Sequence, residues 1–258
     1  MPMHLDLLTD GHVHSRLCHH AVGEMEEYVL AACALGLKRL IFLEHFETGI
    51  NYFETTWLTD ADFELYFATG HLLRERYQGR IEIGLGVEVG YNPERVAETR
   101  AFLRQYAWER IGLSYHFLER DGRHLNLLSR KQENLAEFTT IGVAGIVTAY
   151  LEGLQQAVTE LPATVLCHLD AVLRHHPQIA FSPDHCRLLE AILLAMAERG
   201  MALEINTSGF DHPRQAPYPA AWLIRQAMAH GVRLVLGSDA HRPQEVGRHF
   251  ARVPGYLA

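Results

Sequence analysis

Histidine is unusually frequent in this chain, and its placement indicates metal chemistry. The 258 residues contain 17 histidines, and imidazole is the commonest side-chain ligand for transition metals. Seven of these histidines, with one glutamate and one aspartate, fall where candidate strands end. The nine groups are His12, His14, His20, His45, Glu88, His116, His168, Asp239 and His241. Bringing them into one low-dielectric cleft would be costly without cations, so the sequence predicts bound metal ions.

The number and type of these groups indicate more than one ion. Imidazole and carboxylate together suit Zn, Mn or Fe. Nine protein ligands exceed what a single ion accepts, so we expect two or three divalent ions with a bridging carboxylate. His12 and His14 are two residues apart, and an extended backbone directs both side chains to the same side. His19 is an alternative to its neighbour His20 as a ligand.

Each of these signals has a structural explanation when it is taken alone. Glu88 could form a salt bridge, and Asp239 could cap a following helix. The conjunction at successive strand ends is what favours a metal site. The other histidines lack such a placement and are predicted to lie mostly at the surface; besides His19 they are His4, His71, His124, His175, His176, His185, His212, His230 and His249.

Seven short apolar segments alternate with amphipathic segments of helical periodicity. The candidate strands are residues 5–9, 39–43, 81–89, 110–114, 164–167, 202–206 and 233–236. Six of the seven deliver an imidazole or a carboxylate at their carboxyl end, where a parallel barrel places its active site. Repeated strand–helix units without a break in composition therefore predict one α/β barrel domain over residues 1–258. An open doubly wound sheet is the alternative.

The helices between these strands carry recognisable end signals. Thr59 with Asp62 resembles a capping box, and Pro93 and Pro183 stand where helices would begin. The predicted helices are residues 24–35, from 59 onward, from 92 onward, 131–160, from 182 to Gly200, and 219–230. Residues 46–57 and 119–129 are predicted as loops over the mouth of the barrel.

Composition excludes several classes of protein. Hydrophobic residues make up 48% and charged residues 21% of the chain, as in ordinary globular proteins. The net charge of −8 argues against a broad grip on nucleic acid. No apolar run approaches the ~18 residues of a membrane span. The N-terminus lacks the features of a secretory signal and the four cysteines are scattered, so a cytoplasmic location with reduced thiols is expected.

The order of these motifs resembles that of the PHP (polymerase and histidinol phosphatase) family, and within it of bacterial histidinol-phosphate phosphatases. The motifs span Asp10 to His20, Phe42 to His45, Gly86 to Glu88, Ile111 to His116, His168 to Asp170, Asn206 to Gly209 and Gly237 to Gly247. This resemblance implies a distorted (β/α)7 barrel with a trinuclear metal site. The implied ligands are His12, His14, Glu88 and Asp239 for one ion, Glu88, His116 and His168 for a second, and His20, His45 and His241 for a third.

The resemblance implies hydrolysis of a small phosphate monoester, as in the histidinol phosphatases of histidine biosynthesis. A bridging hydroxide formed between the ions would attack phosphorus. Glu88, Asp239 and His241 are the candidate catalytic residues, and Arg174 and Arg242 are the candidates for binding phosphate. Glu44 and Asp170 are expected to orient imidazoles from behind the ligands. The general acid and the oligomeric state are left open.

Three other functions remain open at this point. A phosphodiesterase or nuclease of the same family would act on nucleotides or nucleic acid, although the chain has no basic, aromatic-rich stretch. An amidohydrolase-like enzyme also uses His-x-His and a late aspartate, but it would need an eighth strand and often a bridging lysine. A non-catalytic metal-binding module would need an incomplete set of ligands.

Overall fold

Seven parallel strands form one sheet that closes on itself almost completely. The computed structural model describes residues 5–257. The strands are β1 (Thr9–Val13), β2 (Arg39–Phe46), β3 (Glu82–Gly90), β4 (Ile111–Ser114), β5 (Phe117–Arg120), β6 (Arg123–Asn126), β7 (Val165–Leu166), β8 (Ala202–Asn206) and β9 (Leu234–Gly237). Their order in the barrel is β1-β2-β3-β4-β7-β8-β9, and β5 pairs with β6 as a separate antiparallel hairpin.

Helices cross between successive barrel strands, as parallel pairing requires. They are α1 (Met25–Ala34), α2 (Asp60–Arg76), α3 (Val96–Leu103), α4 (Gln132–Ile141), α5 (Val143–Glu160), α6 (Pro183–Arg199) and α7 (Ala221–Ala229), whereas α8 (Val253–Leu257) follows β9. The capping box at Thr59 forms as expected. The helix α6 begins at Pro183 as expected, after a capping box at Ser182 that was not predicted, and Gly200 ends it in the left-handed conformation. The predicted (β/α)7 barrel is therefore confirmed.

The sheet closes through backbone bonds between its first and last strands, so the open-sheet alternative is wrong. Val13 pairs in parallel with Ala240, just beyond β9. The His14 amide donates to the Ala240 carbonyl at 2.9 Å, and the Asp239 amide donates to the His12 carbonyl at 2.8 Å. The buried carboxylate of Asp10 strengthens the closure, because it accepts from the amides of Ser238 at 3.0 Å and Gly247 at 2.8 Å.

The first strand lies four residues later than its predicted position at 5–9. Apolar leucines favoured the earlier position, but Asp6 turns the chain there. Its carboxylate accepts from the Leu8 amide at 2.9 Å and from the Thr9 hydroxyl at 2.6 Å. The strand therefore starts at Thr9 and itself contains His12, which places that side chain at the barrel mouth.

Two other segments differ from the prediction. The helix expected over 131–160 is two helices, bent by 97° at Gly142, whose φ of 93° lies in the left-handed region. The helix expected from residue 92 begins at Val96, because the Asn92 side chain accepts from the Glu94 amide and forms a turn first. The predicted loop 119–129 contains the end of β5 and all of β6. Of the predicted loop 46–57, Phe46 belongs to β2 and residues 47–57 form a loop as expected.

The main hydrophobic core lies between the sheet and the helices, with large buried side chains such as Tyr28, Tyr66 and Tyr150. The barrel interior is narrow, because Gly86 and Gly112 face the Leu43 side chain with no room for a Cβ. Among the described residues, no single helix combines the length and hydropathy of a membrane span. Only α4 and α5 taken together reach them, across their 97° bend.

Candidate metal centre

Glu88 lies at the centre of a cluster that contains all nine predicted ligands. Strand register explains part of the arrangement, because His45 on β2 stands directly beside Glu88 on β3. One Glu88 carboxylate oxygen lies 2.8 Å from Nε2 of His168 and 3.3 Å from Nε2 of His116. The other lies 3.0 Å from Nδ1 of His45 and 3.3 Å from Nε2 of His12. A carboxylate that faces imidazoles on both of its oxygens has the geometry of a bridging ligand.

His12 and His14 project to the same side of β1, as the His-x-His spacing predicts. Their Nε2 atoms lie 2.9 Å apart. Oδ1 of Asp239, which follows β9, lies 3.4 Å from Nε2 of His14 and 3.8 Å from Nε2 of His12. The closing contact between the first and last strands therefore brings these three groups together.

His20, His45 and His241 form the outer part of the cluster. Nε2 of His20 lies 2.8 Å from Nε2 of His241, and the His45 ring stacks between those of His14 and His20 at 4.2 and 5.2 Å. His20 lies at the exposed rim of the mouth. Its neighbour His19 points elsewhere and lies 3.4 Å from Asp62, so the geometry favours His20 over His19.

Two carboxylates behind the cluster were not predicted from the sequence. Glu204 on β8 lies 2.7 Å from Nδ1 of His12, and Glu47 lies 2.8 Å from Nδ1 of His116. Such pairs fix the tautomer and the orientation of a metal-binding imidazole. A glutamate within the otherwise apolar strand β8 is a signal that could have found Glu204, since a charged group rarely lies in a buried strand without a partner.

The backbone is strained at two residues of the cluster. His168 and Asp239 have φ of 27° and 53°, a region that residues other than glycine rarely adopt. Gly237 lies so close to Glu204 and His12 that a Cβ would overlap both. Strained backbone of this kind concentrates at functional sites, and a sequence pattern does not reveal it.

The charges of the cluster compensate one another. Burial opposes the ionisation of Glu88, but the surrounding imidazoles, His12 foremost, hold the pKa of Glu88 well below its usual range. Burial likewise opposes the charge of His116, but Glu88 and Glu47 raise the pKa of His116 to about 10. Protons therefore balance the buried carboxylates when no cation does, and cation binding would release them.

The donor atoms fit metal ions. Nδ1 of His20 faces the Cys18 carbonyl at 2.9 Å, and Nδ1 of His241 faces the Asp239 carbonyl at 3.1 Å. A carbonyl only accepts, so each Nδ1 carries the proton and each Nε2 presents a lone pair. Two lone pairs that face each other at 2.8 Å share no proton, and a cation between them would satisfy both.

A cavity of about 540 Å³ opens above the cluster. The predicted phosphate ligands Arg174 and Arg242 both line it, and Nε of Arg174 is buried without a hydrogen-bond partner. His175 and His212, predicted to lie at the surface, are half-buried in the cavity wall. His185 is also not at the surface, since it is buried against Thr148. His4 lies outside the described residues.

Glu44 and Asp170 were predicted to orient imidazoles, but neither makes a direct hydrogen bond to one. Oε1 of Glu44 accepts from the amide and the hydroxyl of Ser15. Oδ2 of Asp170 accepts from the Ala220 amide at 3.0 Å. Both carboxylates are fully buried or nearly so, and burial raises the pKa of Glu44 to about 8 and that of Asp170 to about 6.

A parallel barrel with imidazoles and carboxylates converging at the carboxyl ends of its strands has the general form of a barrel metalloenzyme. Comparison of the sequence with protein families gives a match to the PHP domain over residues 10–208. The chain therefore belongs to the PHP domain family, as the motifs predicted.

Curated relatives of the chain are named as phosphatases. The "Probable histidinol-phosphatase" of Deinococcus radiodurans is 31% identical over 245 residues, which cover 95% of this chain and 90% of that protein. The histidinol-phosphatase of Bacillus subtilis is 28% identical over 257 residues, with 92% and 95% covered.

Solved structures share the fold. A candidate histidinol phosphatase from Listeria monocytogenes superposes with a TM-score of 0.87 at 25% identity, covering 95% of this chain and 99% of that one. The histidinol phosphate phosphatase of Lactococcus lactis, solved with zinc, L-histidinol and phosphate, has a TM-score of 0.74 at 22% identity, with 95% and 91% covered.

Proposed function

We propose that this protein is a metal-dependent phosphomonoesterase whose substrate is histidinol phosphate or a closely similar small phosphate monoester. The observation that carries the proposal is the convergence of seven imidazoles and the Asp239 carboxylate around Glu88 at the barrel mouth. The names of the full-length relatives supply the substrate class. The zinc, L-histidinol and phosphate in the Lactococcus lactis protein support the same assignment.

The cluster would hold two or three divalent ions of zinc, manganese or iron. The proposed ligand sets are His12, His14, Glu88 and Asp239, then Glu88, His116 and His168, and finally His20, His45 and His241. The short distances within each set support this partition. His45 of the third set also faces the bridging carboxylate, because its Nδ1 lies 3.0 Å from Glu88.

Divalent ions bound there would supply positive charge and acidify a water molecule near neutral pH. Arg174 and Arg242 would hold phosphoryl oxygens on the cavity side, and their charge would be complementary to the developing negative charge. Glu88, Asp239 and His241 would act by fixing the ions beside the phosphorus. Glu204 and Glu47 would keep their imidazoles in the ligating tautomer.

Several features disfavour the three alternative functions. Seven barrel strands with a glutamate on the third do not provide the eighth strand or the lysine that an amidohydrolase-like site would need. A net charge of −8 disfavours the nuclease alternative, and a complete set of nine groups disfavours the non-catalytic module. The single domain and the cytoplasmic location stay predictions; the latter rests on the four cysteines, which are free thiols.

Release of inorganic phosphate tests the proposal. Purified protein, stripped with a chelator and then reloaded with zinc or manganese, should hydrolyse histidinol phosphate, and the stripped protein should be inactive. Full activity in the stripped protein would refute the metal dependence. Faster cleavage of bis(p-nitrophenyl) phosphate than of any monoester would favour the phosphodiesterase instead.

A further inference from the structure

Most histidines of the cluster have a hydrogen-bond partner on the ring nitrogen that faces away from it. These are His12, His116, His20 and His241, paired with Glu204, Glu47 and the carbonyls of Cys18 and Asp239. Two histidines differ, since Nδ1 of His14 and Nδ1 of His168 are buried without a protein partner. An imidazole that binds metal through Nε2 carries its proton on Nδ1, and a buried N–H group without an acceptor is costly.

Two buried carboxylate oxygens lack a hydrogen-bond donor, just as the two Nδ1 groups lack an acceptor. Oε1 of Glu44 is occupied by Ser15, but Oε2 is buried and has no protein partner. Oδ1 of Asp170 is in the same state, while Oδ2 accepts from the Ala220 amide. Each carboxylate is thus anchored by one oxygen and has a second acceptor to offer.

His14 and Glu44 are close enough to be joined through one small molecule. A ring nitrogen of His14, a carboxylate oxygen of Glu44 and the sulfur of Cys18 all lie within 4.8 Å of one another. All three residues are fully buried, and His14 and Glu44 make no direct hydrogen bond. Two polar atoms bridged by a water molecule are typically about 4.5–5 Å apart, because each hydrogen bond spans about 2.8 Å.

We propose that a buried water molecule joins Nδ1 of His14 to Oε2 of Glu44, with the Cys18 thiol as its third neighbour, and that Glu44 thereby positions His14 as a metal ligand. A buried water needs two to four polar partners, and this trio provides three. The inference rests on the metal centre of the proposed function. It makes Glu44 a positioning residue that acts on the ion through water, as Glu204 and Glu47 act on their imidazoles directly.

The water accepts from the Nδ1–H of His14 and donates to Oε2 of Glu44. Cations held by the cluster would keep that carboxylate ionised, so it stabilises the tautomer that leaves Nε2 free for metal. The unpartnered Nδ1 of His168 and Oδ1 of Asp170 show the same signature two residues apart. Loss of such a partner typically weakens metal affinity about 10–100-fold.

Zinc affinity separates this role from a purely structural one. Glu44→Gln keeps an oxygen for Ser15 but offers an amide donor where the water needs an acceptor. We expect the zinc Kd of the ion that His14 would hold to rise about 10–100-fold, with no fall in the melting temperature of the metal-free protein. Glu133→Gln, the same substitution at an exposed glutamate on α4, is the matched control and should bind zinc like the parent.

The results that would overturn the inference are distinct. A parent-like zinc Kd in Glu44→Gln would overturn it, and so would a weaker Kd with an equal loss of metal-free stability. A parent protein that binds no zinc would overturn the proposed function itself. A crystal structure of the zinc-loaded protein should show a water within about 3 Å of both atoms, whereas a direct His14–Glu44 hydrogen bond or an empty gap would contradict the proposal.

Discussion

Among single residues, Glu88 has the largest influence on the site, because both of its oxygens face imidazoles. His116 and His168 approach one oxygen, and His12 and His45 approach the other. Ser114 also donates its hydroxyl to the first oxygen. Removing this carboxylate would therefore affect two ions together and would leave several imidazoles without their compensating charge.

Replacing Glu88 tests its bridging role. Glu88→Ala should lose two ions per chain, and phosphatase activity should fall at least about 100-fold, since a bridging ligand serves both ions. Elemental analysis of dialysed protein gives the metal content. Glu133→Ala, at an exposed glutamate on α4, should keep the parent content. Undiminished metal in Glu88→Ala would rule out the bridge.

Arg174 should act on the substrate and not on the ions. It lines the cavity, its Nε has no protein partner, and its guanidinium lies 5.5 Å from the centre of the Tyr218 ring. Arg174→Ala should lower kcat/KM about 10–100-fold, because a hydrogen bond to a charged group contributes about 1.5–3 kcal/mol. Metal content should stay constant. Arg187→Ala, at an exposed arginine paired with Asp184, is the control. Equal kcat/KM values in the two variants would show that Arg174 does not bind the substrate.

The sequence predicted the nine clustered residues well and their supporting groups poorly. Their clustering could be predicted because parallel strands end at one mouth, so side chains at strand ends converge whatever the details of packing. Glu204 and Glu47 were missed because their role depends on which imidazole each side chain reaches. Glu44 and Asp170 were chosen by proximity in sequence, and their direct bonds go to Ser15 and Ala220 instead.

At the level of elements, the connection after β4 differs most from the others. The hairpin β5–β6 and the bent pair α4–α5 replace a single crossover helix. The hairpin is tied to the loop after β2, since the Asn51 amide donates to His124 at 3.0 Å and Asn51 Nδ2 donates to the Gly122 carbonyl at 2.7 Å. Phe117 and Asn126 of the hairpin and Glu54 and Thr56 of the loop line the cavity above the cluster.

Gly142 makes the bend between α4 and α5 possible. Its φ of 93° is unfavourable for any residue with a Cβ, although no atom would obstruct one. Gly142→Ala should therefore lower the free energy of unfolding by about 1–2 kcal/mol. Gly145→Ala, three residues later within α5 and equally unobstructed, should raise it by about 0.5–1 kcal/mol. Denaturant titration measures both, and a neutral Gly142→Ala would contradict the strain.

Element prediction succeeded where periodicity and caps were strong and failed at local turns. The seven strands were found because each is a short apolar run between helical periods. The bend at Gly142 was missed because residues 131–160 keep a helical pattern across it, and a single glycine does not specify a break. The shift of β1 has a similar cause, since Asp6 bonds to the backbone and turns an apolar stretch out of the sheet.

For the molecule as a whole, pH acts through buried carboxyls such as Glu44. Burial raises the pKa of Glu44 from 4.5 to about 8 when no metal is bound, so the metal-free folded protein keeps this proton over a range in which the unfolded chain has lost it. Stability from this group is fully present below pH 4.5 and declines as pH rises toward 8.

The glutamine variant isolates that contribution. Measured on metal-free protein, the free energy of unfolding of the parent should fall relative to Glu44→Gln by about 4 kcal/mol between pH 5 and about pH 8.5. Other groups titrate equally in both proteins and cancel in the difference. Parallel stability curves across this range would show that Glu44 ionises normally in the folded protein.

The attachment of Asp10 to Ser238 and Gly247 spans 228 and 237 positions of the chain, which has a consequence for biosynthesis. A ribosome exposes His12 and His14 long before it has translated Asp239 and His241. Until β9 and the residues after it emerge from the ribosome, a nascent chain contains only part of the cluster, and its barrel is not closed. Translation of the segment from β9 to Gly247 is therefore the event that completes the cluster. A polypeptide terminated before this segment would lack Asp239 and His241 as well as the contacts that close the barrel.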